Sequence, residues 1–261
     1  MRVASPGHAV FAAIMIALGL SGLLKGDFTA IWLPVPRGVP MRGALVYLTA
    51  LVCLASGVGL MWRRVAAPAA RALLGALLLW WVVFRGRDLV LRPGTEGSWS
   101  ASGETAVMVA GAWVLYAWFA PDWDRRRLAF ATGDNGLRIA RVFYGLALIP
   151  FGVAHFIYLN ETAALVPAWL PAHLAWARVT GCAFLAAAVA VLLGICARLA
   201  AVLSALQLGV FTVLVWVPIV AAGSKDAFQW SETVLSCALT AGAWVVADSY
   251  RGRPWLAGRT R

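Results

Sequence analysis

A repeat with a fixed spacing is the feature of this sequence that most limits its fold. The segment at 36–49, PRGVPMRGALVYLT, aligns without a gap to the segment at 167–180, PAWLPAHLAWARVT. Two prolines and one threonine recur at a constant offset of 131 residues: Pro36, Pro40 and Thr49 in the first copy, and Pro167, Pro171 and Thr180 in the second. In both copies the segment joins two long apolar runs, which predicts a duplicated helix–loop–helix element and two related halves.

The composition indicates that lipid is the solvent for much of the surface. Of the 261 residues, 62% are hydrophobic and only 13% are charged, whereas soluble domains have roughly 25% charged residues. A core of this size could not hide so many apolar side chains from water. The net charge of +11 comes mainly from short segments between apolar runs, which is typical of a membrane protein. We therefore expect a lipid bilayer as a partner and no nucleic acid.

Eight apolar runs are candidates for membrane-spanning helices, since a bilayer core needs about 20 helical residues. The third run has a short charge-free part, but its partner at 199–222, shifted back by 131, extends it to 68–91. The predicted helices cover about 8–24, 43–62, 68–91, 105–120, 142–159, 177–197, 199–222 and 232–248.

The sequence thus predicts an all-α membrane protein with eight transmembrane helices, arranged as two tandem four-helix bundles in the same orientation. The first bundle is predicted at 1–121 and the second at 142–250. A basic cytoplasmic linker at 122–141 joins them, and a basic tail follows at 251–261. An even number of helices per half gives both halves the same orientation.

The distribution of Lys and Arg predicts the sidedness. Of the 22 basic residues, 14 lie in the termini and in the segments on their side, and 8 lie in the other loops. By the positive-inside rule, both termini are cytoplasmic. The expected location is a bacterial-type inner membrane, crossed several times.

Two histidines lie on the predicted outer face, where the long loops are. His155 is near the end of the fifth helix, where a histidine can carry protons, contact a quinone or bind a metal. The alternative is an interfacial histidine that hydrogen-bonds a neighbouring helix or loop. His173 could approach His155 if the loop between them folds back. Two histidines without a third ligand do not define a metal site, and we predict no metal.

Charged residues at the outer end of the third helix form a second candidate site. Arg85 and Asp88 are three residues apart, so they share one helical face and can pair. Charges at membrane depth usually face a bundle interior or a watery cavity and are often functional. The alternative is that the third helix ends at Phe84 and that both charges are solvated.

Two glutamates precede the apolar parts of the fourth and eighth helices. Glu104 and Glu232 are each followed by Thr, and their charge would complement the helix dipole at an N-terminus. The alternative is that both project into an outer vestibule with His155. Trp169 lies in VPAWLP at 166–171, where the prolines restrict the chain to extended shapes. We interpret this segment as a stiff stretch at the outer interface that could act as a lid, although lipid anchoring alone would also explain the tryptophan.

Five segments of the second half carry the pattern of a known family: GVAHF at 152–156, VPAWLP at 166–171, WARVTG at 176–181, ARLAA at 197–201 and VWVP at 215–218. In these segments the chain resembles the DoxX-like membrane proteins, four-helix bundles related to a subunit of archaeal terminal quinol oxidases. The first half matches more loosely, through WLPVP at 32–36 and YLT at 47–49. The chain looks like two fused DoxX-like units.

The resemblance implies a link to quinol oxidation or to thiol redox complexes, because some members have one, and it implies a quinone as cofactor and other membrane redox subunits as partners. It brings no set of catalytic residues. The family-typical positions are Gly152, His155, Pro167, Trp169, Pro171, Thr180 and Gly181. The first half has Leu24-Lys25 where the second has His155-Phe156, so a role for His155 is not duplicated. None of the four cysteines forms C-x-x-C, and we interpret them as small buried hydrophobic residues.

Three functions follow from these observations. The first is an accessory protein of a quinone-linked or thiol redox system, active only with other subunits. The second is a carrier, which predicts a cavity between the halves lined by Arg85, Asp88 and His155. The third is a quinone- or lipid-modifying enzyme, which predicts a lipid-open pocket near His155 and Trp169. The sequence leaves open whether the protein is an enzyme.

Overall fold

The computed structural model describes residues 4–36 and 38–258 and shows a helical bundle. Within these residues eight long helices follow one another along the chain: α1 Pro6–Lys25, α2 Arg42–Met61, α3 Ala66–Leu91, α4 Glu96–Phe119, α5 Gly133–Ile157, α6 His173–Leu193, α7 Ala197–Ala221 and α8 Ala227–Asp248. Short helices at Asp122–Arg127 and Leu159–Ala164 and a 3-10 turn at Ala30–Trp32 lie in the connections.

The backbone repeats at the spacing found in the sequence. Helices α2 and α6 start 131 residues apart, and so do α3 and α7. Met41 and Ala172, which precede α2 and α6, both have left-handed backbones with φ of 54° and 57°. A π-helical turn interrupts α3 from Trp81 and α7 from Thr212, again 131 residues apart. The structure therefore has two related halves, α1–α4 and α5–α8.

Helices α4 and α8 form the centre of the bundle. Helix α4 packs against α3, α5 and α8, and α8 packs against α7, α4 and α1. The two central helices cross where Gly111 meets Gly242, since a Cβ on Gly111 would lie 3.1 Å from the Cα of Gly242. The three-helix groups α1–α3 and α5–α7 flank this pair, so each half uses the last helix of the other to complete its packing.

Among the described residues, six helices are long and apolar enough to cross a membrane: α1, α2, α3, α5, α6 and α7. The chain is therefore a multi-pass membrane protein of all-α type. The two helices outside this set, α4 and α8, are the central pair, and most of their residues are buried by protein. Because protein shields them, these helices need less apolar side-chain surface than helices that face lipid.

Two predicted connections are wrong in part. The stretch at 92–103 is predicted as a loop, but α4 already starts at Glu96, because Arg92 to Thr95 complete the turn. The stretch at 122–141 is predicted as a linker, but it contains a short helix and the first two turns of α5. Its Arg141 is buried and donates to the Ser249 hydroxyl over 3.1 Å. The basic linker therefore packs against the end of α8.

Both described chain ends lie at one end of the bundle, which we call the terminal end. The Gly7 amide donates to Asp248 over 3.0 Å, which joins the first helix to the last. His8 is fully buried there, with Nε2 at 3.0 Å from the carbonyl oxygen of Leu60. The opposite end, which we call the loop end, carries the connections at 26–41, 92–95, 158–172 and 222–226.

Candidate functional site

A cavity of about 560 Å³ opens in the second half at the loop end. This volume is in the range of small-molecule sites, roughly 300–1,000 Å³. Helices α5, α6, α7 and α8 supply most of the wall, and α4 adds Ser100 and Glu104. Aromatic side chains form much of the lining: Phe151, Trp169, Trp176, Phe184, Phe211 and Trp216. The wall is therefore mainly apolar, with a few polar groups at defined places.

The cavity reaches the surface of the bundle. Trp169, from the VPAWLP segment, lines it and is 71% exposed. Trp176, Val210 and Leu214 also line it and are exposed on the outside of α6 and α7. Because these outer faces are apolar, a molecule dissolved in lipid can reach the cavity without crossing water.

Glu104 and Glu232 bring carboxylates to this wall from the two central helices. The structure records no hydrogen bond or ion pair to either carboxylate within the described residues. Glu104 lies deep in the bundle and keeps contact only with the empty volume, where it experiences the charges of Glu232 and Arg85. The two glutamates do not occupy equivalent positions of the repeat, because they are 128 residues apart. A helix N-terminal role does not fit Glu104, since α4 starts eight residues earlier.

His155 lines the cavity near the end of α5. Its Nδ1 lies 2.7 Å from the carbonyl oxygen of Phe151, so Nδ1 carries the proton because a carbonyl oxygen can only accept. In the neutral ring, Nε2 is then an acceptor. The ring packs edge-on against Phe184 at 5.5 Å between centroids. The histidine thus makes the local hydrogen bond expected of a structural residue and still offers one nitrogen to the cavity wall.

Arg85 and Asp88 do not form the predicted pair. Arg85 is 1% exposed and donates to the Thr105 hydroxyl over 3.0 Å. It also donates to the carbonyl oxygens of Leu33 and Pro34. Asp88 instead pairs with Arg92, at 3.1 Å. The π-helical turn in α3 turns Arg85 inward toward the loop, away from the face that Asp88 shares with Arg92. Neither residue is in the cavity lining, so the cavity differs from the one predicted for a carrier.

The first half fills the space that corresponds to the cavity. Trp80 donates from Nε1 to the carbonyl oxygen of Trp32 over 3.1 Å, and Trp32 is almost fully buried. Together with Arg85, this bond holds the loop against α3. At the repeat offset, Phe211 stands in place of Trp80 and Trp216 in place of Arg85. Neither replacement donates to the second-half loop, and the space below that loop stays open.

The remaining predicted site residues lie apart from this cavity. His173 starts α6 and does not line the cavity with His155. In the described part of the chain, no group of three or more His, Cys, Asp or Glu side chains is placed to hold a metal. The four cysteines are free thiols; Cys53 is buried as predicted, but Cys182 is exposed on α6.

Sequence reasoning missed several groups of the wall. Gln207 donates to the carbonyl oxygen of Thr180 over 3.1 Å, which leaves its side-chain oxygen free to accept. Ser236 is hydrogen-bonded to Thr212 at 2.6 Å. Gln207 could have been noticed as a lone amide in an apolar run, but the convergence of α4 and α8 on one cavity has no local signal in the sequence.

Comparison with known proteins gives one match. A family model described as Domain of unknown function (DUF8561) matches residues 144–247. This range covers the half that supplies most of the cavity wall. No curated protein and no solved structure matches the chain.

Proposed function

We propose that the protein spans a bacterial-type inner membrane with all eight helices and binds a lipid-soluble molecule in the second-half cavity. Both termini are then cytoplasmic, and the loop end faces outward, by the distribution of basic residues. The observation that carries the binding proposal is the aromatic cavity of about 560 Å³ with its few polar groups. An apolar site with a small number of placed polar groups is typical of ligand binding.

The polar groups of the cavity favour a ligand that donates hydrogen bonds. The Glu104 and Glu232 carboxylates, the free Nε2 of neutral His155 and the side-chain oxygen of Gln207 are all acceptors. A quinol, which carries two hydroxyl groups, satisfies these acceptors better than a quinone, which carries none. A role beside a quinol-linked redox system, as the DoxX-like resemblance predicts, is consistent with this arrangement. The family assignment itself stays a prediction.

The cavity can be tested with a substitution that the first half suggests. Val215 lines the cavity and is buried, and its repeat equivalent is Phe84, which packs on Trp80 at 4.2 Å. Val215→Phe should therefore fill the space with a side chain that the fold accepts in the other half. Val213→Phe is the matched control, because Val213 lies two residues away and is 59% exposed.

The measurement is extraction of the protein, purified in a mild detergent, with organic solvent, followed by mass spectrometry of quinones and lipids. We expect a lipid-soluble compound to be retained by the wild-type protein and by Val213→Phe, and to be reduced at least about tenfold in Val215→Phe, equivalent to about 1.4 kcal/mol. Equal amounts in all three extracts would overturn the binding proposal. Recovery of a quinol or quinone would support the redox role.

A further inference from the structure

We infer that the second-half cavity selects lipophilic monocations, whose positive centre lies between Glu104 and Glu232. This inference rests on the proposed binding function and adds the chemical class of the ligand. Within the described residues, the cavity wall contains two carboxylates and no Lys or Arg side chain. Both carboxylates lack a hydrogen-bonding or ionic partner in the structure, so the wall offers negative charge that nothing in the wall neutralises.

The charge balance around the cavity leaves one negative charge. Behind the wall, Arg85 acts electrostatically on Glu104, but it makes its hydrogen bonds to Thr105 and the first-half loop. Arg85 therefore offsets one of the two carboxylates without contacting either. A buried charge without a partner is strongly unfavourable. One proton or one monovalent cation is enough to neutralise the remaining charge.

The aromatic wall suits a bulky organic cation better than a metal ion. Phe151 and Phe184 pack edge to face at 6.0 Å between centroids, and Phe211 and Trp216 also do so at 6.0 Å. Aromatic faces attract organic cations, and the attraction grows when water is excluded. A metal ion would need several oxygen ligands at close range, whereas a lipophilic cation uses the apolar wall as well as the two carboxylates.

The same charges make binding compete with protons. The titratable or charged groups that surround Glu104 are Glu96 on its own helix, Arg85 on α3, His155 on α5 and Glu232 on α8. The side chains that α6 and α7 contribute to the wall are uncharged. When a cation binds, the carboxylic acid that held the proton releases it to water. Cation binding should therefore weaken as pH falls and should release protons.

The test uses the full-length protein in lipid nanodiscs and two probes of similar size, tetraphenylphosphonium and neutral triphenylphosphine oxide. We expect the wild-type protein to bind the cation at least about tenfold more tightly than the neutral compound, and to release protons into a weakly buffered solution when the cation is added. The double substitution Glu104→Gln and Glu232→Gln should abolish this preference. Glu161→Gln is the control, because Glu161 is exposed and does not line the cavity.

The outcomes separate this inference from the proposed binding function. If Val215→Phe abolishes binding of both probes, and the wild-type protein binds them equally, the cavity is a ligand site but the cation inference is overturned. Absence of tetraphenylphosphonium binding, or binding without proton release from the wild-type protein, also overturns it. The proton measurement needs no variant, so the inference remains testable if the double substitution prevents folding. Cation preference with proton release that the two Gln substitutions remove supports the inference.

Discussion

Substitution of Arg85 by Met tests whether this arginine closes the first half. Met has a similar length but no donor, so Arg85→Met removes the hydrogen bonds to Thr105 and to the carbonyl oxygens of Leu33 and Pro34. Thr105 keeps its bond to the carbonyl oxygen of Ala101, at 3.1 Å. The loss therefore falls on the two loop carbonyls.

The size of the effect follows from these two bonds. A hydrogen bond from a charged donor contributes roughly 1.5–3 kcal/mol. The loop is partly exposed, so water replaces part of what the two carbonyls lose, and removal of the guanidinium also removes a buried charge that costs free energy to desolvate. We expect Arg85→Met to lower the free energy of unfolding by about 2–4 kcal/mol.

The assay is denaturant unfolding of the purified protein in detergent, combined with hydrogen exchange of peptides from residues 28–36. Exchange in this loop should become faster in Arg85→Met, because the loop loses its anchor to α3. Arg92→Met is the control: its side chain is 60% exposed and makes one pair with Asp88, and such surface pairs contribute about 0–1 kcal/mol. Equal stability losses in the two variants, with unchanged loop exchange, would refute the reasoning.

Two further predictions concern helix packing at other places. Gly19→Ala should lower the free energy of unfolding by about 1–3 kcal/mol, because a Cβ there would lie 2.5 Å from the backbone nitrogen of Leu54, whereas Gly75→Ala has no heavy atom within 4 Å and should not destabilise; equal thermal shifts for the pair would contradict the close contact of α1 and α2. Asp248→Asn should lower the free energy of unfolding by about 1–2 kcal/mol, because Asp248 accepts the Gly7 amide at the start of α1; an unchanged melting temperature would contradict this.

The helical architecture could be predicted from the sequence because the repeat and the apolar runs are properties of the chain itself. The offset of 131 residues placed α3 correctly, including Arg85 within it, where hydropathy alone ended the helix early. The starts of α4 and α5 were missed, because polar residues such as Glu96 and Asp134 resemble loop residues when their packing is unknown.

The candidate site was predictable only as a set of separate residues. His155, Trp169, Glu104 and Glu232 were identified one by one, and the structure brings all four to one cavity. Arg85 was identified as a buried charge, but its partners are carbonyl oxygens of a distant loop, which carry no signal in the sequence. Whether a space is filled depends on the fit of several side chains, and this is why the difference between the halves emerges only from the packing.

The sharing of α4 and α8 has a consequence for the order in which the protein is made. Helix α1 packs against α8, so the first helix to leave the ribosome waits for the last before its packing is complete. The Gly7–Asp248 hydrogen bond joins the same two helices. During synthesis the first half exposes the side of α1 and α4 that α8 will cover. Assembly of this protein is therefore completed only after the whole chain has been translated.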